Sequence, residues 1–249
     1  MILIFCAFGA ELDPLRARIR AEKALELKDV EGCYGTIGST SVALAASGIG
    51  TRRAQVNARR VFDGIHGIDL IIMTGVAGAL IDDLKIGDLV MADRLLTREG
   101  DSDLLTRKIE VPGDSLAACS SALDAVGIPY SRGGLLTVRH PLMTQSQKRL
   151  AGQQSGAIAV DMETAVIAFE AAARGIPFVA MRTVMDTVEH DLEVARLADE
   201  NGVVRPLKAA AALMRKPSLV AGAVRLMRNL RLATRAMALA VEAVARQVG

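Results

Sequence analysis

The sequence predicts an α/β fold, a three-layer α/β/α sandwich whose central sheet is mixed and mostly parallel. Three observations predict it: short apolar runs of strand type recur along the chain, helical patterns separate them, and no internal repeat or low-complexity tract appears. The length of 249 residues and a hydrophobic content of 51% suit one large domain spanning residues 1–249. Aromatic residues are scarce, so we expect a core of Ala, Leu, Val and Ile.

The amino-terminal part supplies strand, helix and hairpin patterns in turn. Residues 1–8 form an apolar run of buried-strand type. Residues 11–19 follow as a helix, in which Pro14 is tolerated because it lies in the first turn, where its missing N–H would have no partner. Residues 34–37 and 41–46 have the pattern of two strands of a hairpin.

The alternation continues beyond the hairpin. Thr51 can cap a helix that runs to about residue 62. Residues 69–74 form a clear strand, and a glycine-bearing loop at 75–79 comes after it. The elements expected next are a strand at 89–93, an exposed loop or edge hairpin at 98–112, a helix at 115–126, a strand at 133–138 and a polar helix at 144–154.

Two acids stand at strand ends in the stretch around which the chain is organised. That stretch is predicted to contain a strand at 157–160, a helix at 164–174 and a second strand at 178–184. Glu163 lies where the first strand breaks into the helix, and Asp186 lies just past the second strand. Because the carboxyl ends of parallel strands face one crevice, we expect both carboxylates to open into one site.

The carboxy-terminal part differs in charge. Residues 187–206 are acidic and irregular, which suggests a lid, and residues 207–249 form a basic helical extension whose last helix begins at Ser218. Its arginines share one face: Arg225, Arg228, Arg235 and Arg246, with Arg231 at the edge. Its apolar residues lie opposite: Leu219, Ala223, Leu226, Met227, Leu230, Met237, Val241 and Val244. This pattern is typical of a membrane-surface or partner-binding helix, or of a core-covering or oligomer helix whose arginines are solvated.

Bulk composition excludes several classes. A net charge of +2 gives no case for a nucleic-acid partner. The three cysteines lack metal-type spacing, and their odd number suggests reduced thiols in a cytoplasmic protein. The apolar start has no basic region and is too short for a signal peptide or a membrane span. His190, Asp191 and Glu193 are near-consecutive in a polar loop, so we assign no metal, and the sequence calls for no cofactor.

The motif DMETA at 161–165, followed by RTVMD at 182–186, resembles the signature of the nucleoside phosphorylase and methylthioadenosine/S-adenosylhomocysteine nucleosidase superfamily. The tail, with Asn201-Gly202, Arg205-Pro206 and the segment 215–217, is similar to its hopanoid-associated branch. The resemblance implies a homo-oligomeric enzyme that splits an N-glycosidic bond of a 5′-substituted adenosine. In that branch the substrate is adenosylhopane, an apolar nucleoside. An enzyme acting on such a substrate would be expected to contact the inner membrane face peripherally.

The resemblance also implies roles for the motif residues. Asp186 would donate a proton towards N7 of a purine, with Arg182 orienting it, although Asp186 could instead cap a helix or simply pair with Arg182. Glu163 would bind the ribose 2′ and 3′ hydroxyls, with Met162 packed on the sugar, although a first-turn glutamate also satisfies a helix dipole. Asp161 is a secondary candidate with the same structural alternative.

Two further residues are assigned by their position after a strand. Glu11 occupies the place where nucleosidases hold the glutamate that orients the attacking water, and its alternative is an ordinary acid of a helix amino terminus. His140 falls where related nucleosidases stack an aromatic side chain on the base, and its alternative is a plain loop residue.

The acceptor is the remaining question. Phosphorylases usually carry an Arg before the turn at Gly75 and a Ser within it, whereas Met73 and Val76 fill those places here. Gly50 belongs to a Gly-x-Gly segment too short for a dinucleotide fingerprint. Because a buried phosphate without donors is costly, we expect water as the acceptor. The alternatives are a phosphorylase acting on the same substrate, a soluble methylthioadenosine/S-adenosylhomocysteine nucleosidase, and a non-catalytic nucleolipid-binding protein.

Overall fold

The computed structural model describes residues 1–97, 107–192 and 218–248. The strands are β1 (Ile2–Cys6), β2 (Arg20–Ala24), β3 (Gly32–Ile37), β4 (Thr40–Ala46), β5 (Leu70–Ala79), β6 (Leu89–Thr97), β7 (Arg107–Glu110), β8 (Tyr130–Thr137), β9 (Ala157–Asp161) and β10 (Phe178–Asp186). The helices are α1 (Gly9–Arg16), α2 (Thr51–Gly64), α3 (Gly113–Ala125), α4 (Gln145–Ser155), α5 (Thr164–Ala172) and α6 (Ser218–Val248).

The strands form one mixed sheet, as the sequence predicts, and part of it closes on itself. Strand β10 pairs with both β5 and β6, so the strands β5, β9, β8, β6 and β10 form a closed ring. Strands β1, β4, β3 and β2 extend from β5, and β7 pairs with β6. Parallel and antiparallel pairings among these strands are equally frequent: β6, β8 and β9 run opposite to β5 and β10, and the consecutive pairs β2–β3, β3–β4 and β6–β7 are antiparallel.

The core lies between this sheet and two groups of helices. Every residue of β1 is buried, and β5 and β10 are nearly so, which is why these strands read as continuous apolar runs rather than alternating ones. Helix α5 packs on the sheet and on α2, whereas α6 packs on the sheet together with α1 and α3. Both α5 and α6 cover β5, β6 and β10, and two of these strands, β5 and β10, contribute residues to the site described below.

Two strand predictions differ from the structure. The loop expected at 75–79 is the continuation of β5, because its glycines serve close approach rather than a turn: a Cβ on Gly75 would lie 2.1 Å from Nη1 of Arg182. Strand β2 was not predicted, since all five of its residues are exposed and its pairing with β3 leaves no apolar pattern in the sequence. Residues 107–110 form an edge strand paired with β6, which matches the edge-hairpin alternative.

Helix α6 divides into an exposed and a buried half. Met237, Val241 and Val244 are buried as expected, but Met227 is 58% exposed and does not join the core. The described arginines of α6 are all exposed: Arg225, Arg228, Arg231, Arg235 and Arg246. Among the described residues, no helix is long and apolar enough to cross a membrane. The first part of the basic helical extension, residues 207–217, and most of the lid expected at 187–206 lie outside the described residues.

Candidate active site

A cavity of about 170 Å³ opens beside the ends of β1, β5, β9 and β10. Four buried carboxyl side chains line it, those of Glu11, Asp161, Glu163 and Asp186. Much of the remaining wall is apolar and comes from Phe8, Ile49, Val76, Val138, Pro141, Leu142, Val160, Met162, Met185 and Leu192. Buried acids in an apolar cleft are typical of a functional site, because burial penalises their charged forms.

Glu163 and Asp186 line the same cavity, as expected. However, the strands that lead to them are not parallel neighbours whose carboxyl ends meet at one edge of the sheet. Strand β9, which leads to Glu163, runs antiparallel to β5, and the two pair only at their ends, where Gly78 lies opposite Val160. Strand β10, which ends at Asp186, runs parallel to β5. The acids therefore meet because β9 crosses the end of β5, which is part of the ring closure.

Three of these carboxyls, those of Asp161, Glu163 and Glu11, lie around the guanidinium of Arg182. We call these four residues the Arg182 cluster. Its Nη2 lies 2.6 Å from Oδ2 of Asp161 and 4.0 Å from Oε2 of Glu163. It also donates hydrogen bonds to the hydroxyl of Thr164 and, over 2.9 Å, to the carbonyl of Thr74. All of the described contacts of Arg182 lie in this cluster and its surroundings, so it does not orient Asp186 as the sequence suggested.

Asp161 is committed to holding the cluster together. Its Oδ1 accepts a hydrogen bond of 2.6 Å from the hydroxyl of Thr137, and its Oδ2 accepts from both the hydroxyl and the backbone N–H of Thr164. With Arg182 also bound, its acceptor capacity is largely used. Asp161 therefore fixes the guanidinium and the start of α5.

Glu163 projects into the cavity with one strong backbone contact. Its Oε1 accepts a hydrogen bond of 2.7 Å from the N–H of Gly50, and the side chain is buried. Burial and the neighbouring Asp161 carboxylate raise the pKa of Glu163 to about 8, although Arg182 opposes the rise. Glu163 is the residue immediately before α5, so it does not occupy the first turn as its structural alternative required.

Glu11 lies in the first turn of α1, but its carboxyl turns back to the strand ends. It accepts hydrogen bonds from the N–H of Ala7 over 2.6 Å and from the N–H of Val76 over 2.8 Å. Burial raises the pKa of Glu11, and Arg182 and these N–H groups oppose the rise. The predicted acceptor-loop residues thus lie at the carboxyls: Gly50 and Val76 donate N–H groups, and Gly75 leaves room for Arg182 and Glu11.

Asp186 belongs to a second group, the Lys148 pair, which consists of Lys148 and Asp186. Nζ of Lys148 lies 2.5 Å from Oδ2 of Asp186, and the lysine side chain is fully buried. Burial raises the pKa of Asp186, and the Lys148 ammonium opposes the rise. A Cβ on Gly78 would lie 2.9 Å from Oδ2 of Asp186, so this position needs glycine.

Sequence reasoning missed Lys148, although a signal for it existed. Lys148 and Ala151 are the buried residues of α4, and they lie three apart, on one face of the helix. Ala151 marks the face of this mostly polar helix that packs on the protein. A lysine on that same face indicates that its ammonium has a buried partner. The capping box of Thr144 and Gln147 fixes where that helix starts.

The predicted histidine at 140 does not line the cavity. His140 is exposed at a bend, while its neighbours Val138, Pro141 and Leu142 form part of the wall. His190, in the turn after β10, lies with Nδ1 3.0 Å from the hydroxyl of Thr187. Stacking on the base would require the His140 side chain to line the cavity, and in the structure it does not.

A family model described as the phosphorylase superfamily matches residues 1–215 of the chain. Similar solved structures include a 5′-methylthioadenosine/S-adenosylhomocysteine nucleosidase of Helicobacter pylori, 19% identical with a TM-score of 0.78 over 98% of this chain and 97% of that one. A futalosine hydrolase of the same organism gives the same values. The nucleosidase of S. pneumoniae is 20% identical with a TM-score of 0.78, over 100% of this chain and 99% of that one. These likenesses show a common fold.

Proposed function

The chain belongs to the phosphorylase superfamily, and from that premise we propose that it cleaves the N-glycosidic bond of a 5′-substituted adenosine and releases adenine. The observation that carries the proposal is a single cavity lined by Asp186, Glu163 and Glu11, each buried and each held by identified donors. Breaking a glycosidic bond needs a proton donor, a group that tolerates a positive sugar and an activated acceptor. The three carboxyls can serve these three roles.

In the proposed reaction, the bond between C1′ and N9 breaks and its electron pair goes to the base. Asp186 donates a proton to N7, so that adenine leaves as a neutral molecule. Glu163 in its ionised form accepts hydrogen bonds from the ribose 2′ and 3′ hydroxyls, and its negative charge favours the electron-poor sugar, so Glu163 must first lose to solvent the proton that its raised pKa favours. Glu11 takes a proton from the attacking water, whose oxygen bonds to C1′. Met162 lines the cavity next to Glu163, in a position to pack on the sugar.

We propose water as the acceptor because the acceptor region is acidic. Glu11 accepts a hydrogen bond from the N–H of Val76, Glu163 lines the same cavity, and in their ionised forms both carboxyls would repel a phosphate. Among the described residues, the two cations behind the cavity wall are already engaged, Arg182 with Asp161 and Lys148 with Asp186. Charge therefore disfavours the phosphorylase alternative.

The acceptor is tested by running the reaction with and without inorganic phosphate and identifying the sugar product. Adenine release that is independent of phosphate, together with a free sugar, supports hydrolysis. Release that requires phosphate and yields a sugar 1-phosphate contradicts it. A protein that binds adenosine derivatives without releasing adenine would support the alternative of a non-catalytic binding protein.

We propose a lipid-linked nucleoside, adenosylhopane, as the substrate. The apolar wall supports this choice: Phe8, Ile49, Leu142, Met185 and Leu192 offer contacts to a hydrocarbon 5′ substituent rather than to a charged one. The alternative substrates are methylthioadenosine and S-adenosylhomocysteine, after which similar structures are named. Comparing adenine release from the three nucleosides decides between them, and a preference for S-adenosylhomocysteine, with its charged tail, contradicts the lipid-linked substrate.

We further propose that the amino-terminal half of α6 contacts an anionic membrane surface. Val220, Val224 and Met227 are 48%, 64% and 58% exposed and follow helical spacing. Exposed arginines lie among them, and no acid occurs in α6 before Glu242. Burial and then the charge of Arg225 lower the pKa of His190, so Arg225 acts on the turn that follows β10. An anionic surface complements both the charge and the apolar stripe.

Sedimentation with phosphatidylglycerol vesicles tests this surface. We expect binding that weakens with salt and that V224D/M227D abolishes, whereas L239D, at a leucine that is 47% exposed in the carboxy-terminal half of α6, leaves it unchanged. Equal sedimentation of the wild type and V224D/M227D contradicts the proposal. If V224D/M227D instead dissociates a homo-oligomer, the stripe is an interface between copies.

A further inference from the structure

Lys148 makes a closed set of contacts that the proposed reaction does not yet use. Its ammonium donates to Oδ2 of Asp186 over 2.5 Å, and to the carbonyls of Thr187 and His190 over 2.8 Å each. An ammonium has three protons to donate, so all of them are engaged. The side chain has no exposed surface, which leaves the ammonium no alternative partner in solvent.

The same contacts join α4 to the turn that follows β10. Thr187 and His190 form that turn, in which the N–H of His190 donates to the carbonyl of Thr187 over 3.2 Å. Two further hydrogen bonds link the region before α4 and its first residue to this segment: Leu192 donates to the carbonyl of Met143, and Gln145 donates to Asp191. The turn that follows Asp186 is thus anchored to a separate element, α4.

We propose that Lys148 is a positioning residue for Asp186: it fixes one carboxyl oxygen, leaves the other for the leaving base, and stabilises the carboxylate that remains after proton transfer. Oδ1 of Asp186 has no hydrogen-bond partner among the described residues. It is therefore available to a ligand in the cavity that Asp186 lines. This proposal rests on the proposed function, in which Asp186 is the acid.

The chemistry gives the ammonium a definite effect. When Asp186 passes its proton from Oδ1 to N7, the bond between C1′ and N9 breaks and a carboxylate remains beside the Lys148 ammonium. Opposite charge at this distance favours the ionised form, so Lys148 makes Asp186 a stronger acid than burial alone would allow. The carboxylate regains a proton from solvent after adenine has left.

The charged groups around Asp186 define what the pH test must separate. Lys148 faces it from α4, and His190 faces it from the turn, where Arg225 of α6 acts on the imidazole. The carboxyls of Glu11 and Glu163 line the same cavity. Replacing Lys148 alone leaves these other groups in place, so a change of pH profile reports on the pair.

The test compares pH profiles of kcat/KM for the wild type, K148R and K148M. We expect K148M to lower kcat about 100-fold, with little change of KM, because a misplaced acid costs about that factor. We also expect its falling limb to move to higher pH, since removal of the ammonium raises the pKa of Asp186. K148R keeps the charge and the position of the limb. A rate loss with the limb unmoved overturns the proposal, because a purely structural role would have that result.

A double substitution tests whether Lys148 acts through Asp186. In a D186N background, K148M should change the rate less than about twofold, whereas an independent role would lower it further. The matched control is R149M, which removes a neighbouring exposed charge of α4 that pairs with Asp82. If K148M does not fold, K148Q keeps two N–H donors for the carbonyls and removes the charge.

Titration of the Asp186 carboxyl by ¹³C NMR separates failure of this proposal from failure of the proposed function. The D186N spectrum assigns the signal, and no enzymatic activity is needed. An upward shift of the pKa in K148M or K148Q supports the pair even if the wild type releases no adenine. An unchanged pKa overturns the proposal, whatever the activity.

Discussion

The Arg182 cluster and the Lys148 pair both combine carboxyl groups with one buried cation, but they differ in the number of carboxyls per cation. In the Arg182 cluster, three carboxyls surround one guanidinium, whereas the Lys148 pair matches one carboxyl with one ammonium. Carboxyl groups therefore outnumber the cation in the cluster and match it in the pair. Burial, together with the Asp161 carboxylate of the cluster, raises the pKa of Glu163 to about 8.

This difference indicates how one cavity could divide the proposed reaction. Carboxyls beside the sugar, once ionised, would stabilise a positive transition state, because charges held in a water-poor site act strongly on developing charge. In the pair beside the base, the carboxylate that remains after Asp186 has given up its proton is compensated by the Lys148 ammonium. The predictions below disturb each group in turn.

Asp186→Asn has the largest expected effect. The amide cannot protonate N7, so kcat for adenine release should fall about 10² to 10⁴-fold, the range usual for loss of a general acid. Stopped assays of free adenine measure it, and thermal unfolding checks that the Lys148 contacts still support the fold. Unchanged adenine release by D186N would remove Asp186 from the mechanism and, with it, the asymmetry between the two groups.

Glu163→Gln disturbs the cluster without changing its shape. We expect kcat to fall about 10² to 10³-fold, because the neutral amide neither clamps the ribose diol nor stabilises a positive sugar. Binding of free adenine should stay within about twofold, since the base contacts the other group. Isothermal titration with adenine measures this. A loss of adenine affinity equal to the loss of rate would contradict the division of the cavity.

The pH dependence of stability should follow the Arg182 cluster. The pKa of Glu163 is raised from 4.5 in the unfolded chain to about 8 in the folded protein, so the folded state holds the proton more tightly. The free energy of unfolding should therefore fall as pH rises from 4.5 to 8, by up to about 1.4 kcal/mol per pH unit. Urea unfolding across this range measures it. The slope should be smaller in E163Q, and identical slopes would contradict the raised pKa.

Arg149→Met has the smallest expected effect. Arg149 follows Lys148 in α4 and binds Asp82 through two hydrogen bonds of 2.7 and 2.8 Å, yet both side chains are substantially exposed. Exposed ion pairs contribute little, so the unfolding temperature should change by no more than about 2 °C and activity not at all. Calorimetry and the adenine assay check this. A large loss of stability or activity in R149M would contradict the view that the buried Lys148–Asp186 pair matters more than the exposed Arg149–Asp82 pair.

The sequence located most of the acids but not their partners. Glu11, Glu163 and Asp186 follow apolar runs directly, and such positions can be read from a local pattern. Arg182 was associated with Asp186 because the two lie close in sequence. In the fold, Arg182 binds Asp161 and Lys148 binds Asp186, across separations of 21 and 38 residues.

Glycines were a second source of error. A glycine-rich segment usually predicts a turn, so residues 75–79 were expected to form a loop. In the structure the segment is part of β5, and its glycines make room for Arg182 and Asp186 from the neighbouring β10. That requirement comes from another strand, so it leaves no trace in the local pattern.

The sequence by itself determined the alternation of strands and helices and the placement of acids at strand ends, because hydrophobic periodicity and helix signals act over a few residues. Only the tertiary structure decided the closed ring of strands, the exposure of Met227 and the choice of cation for each carboxyl. The physical reason is that burial and charge depend on distance in space, and groups such as Lys148 and Asp186 become neighbours only when β10 and α4 pack together.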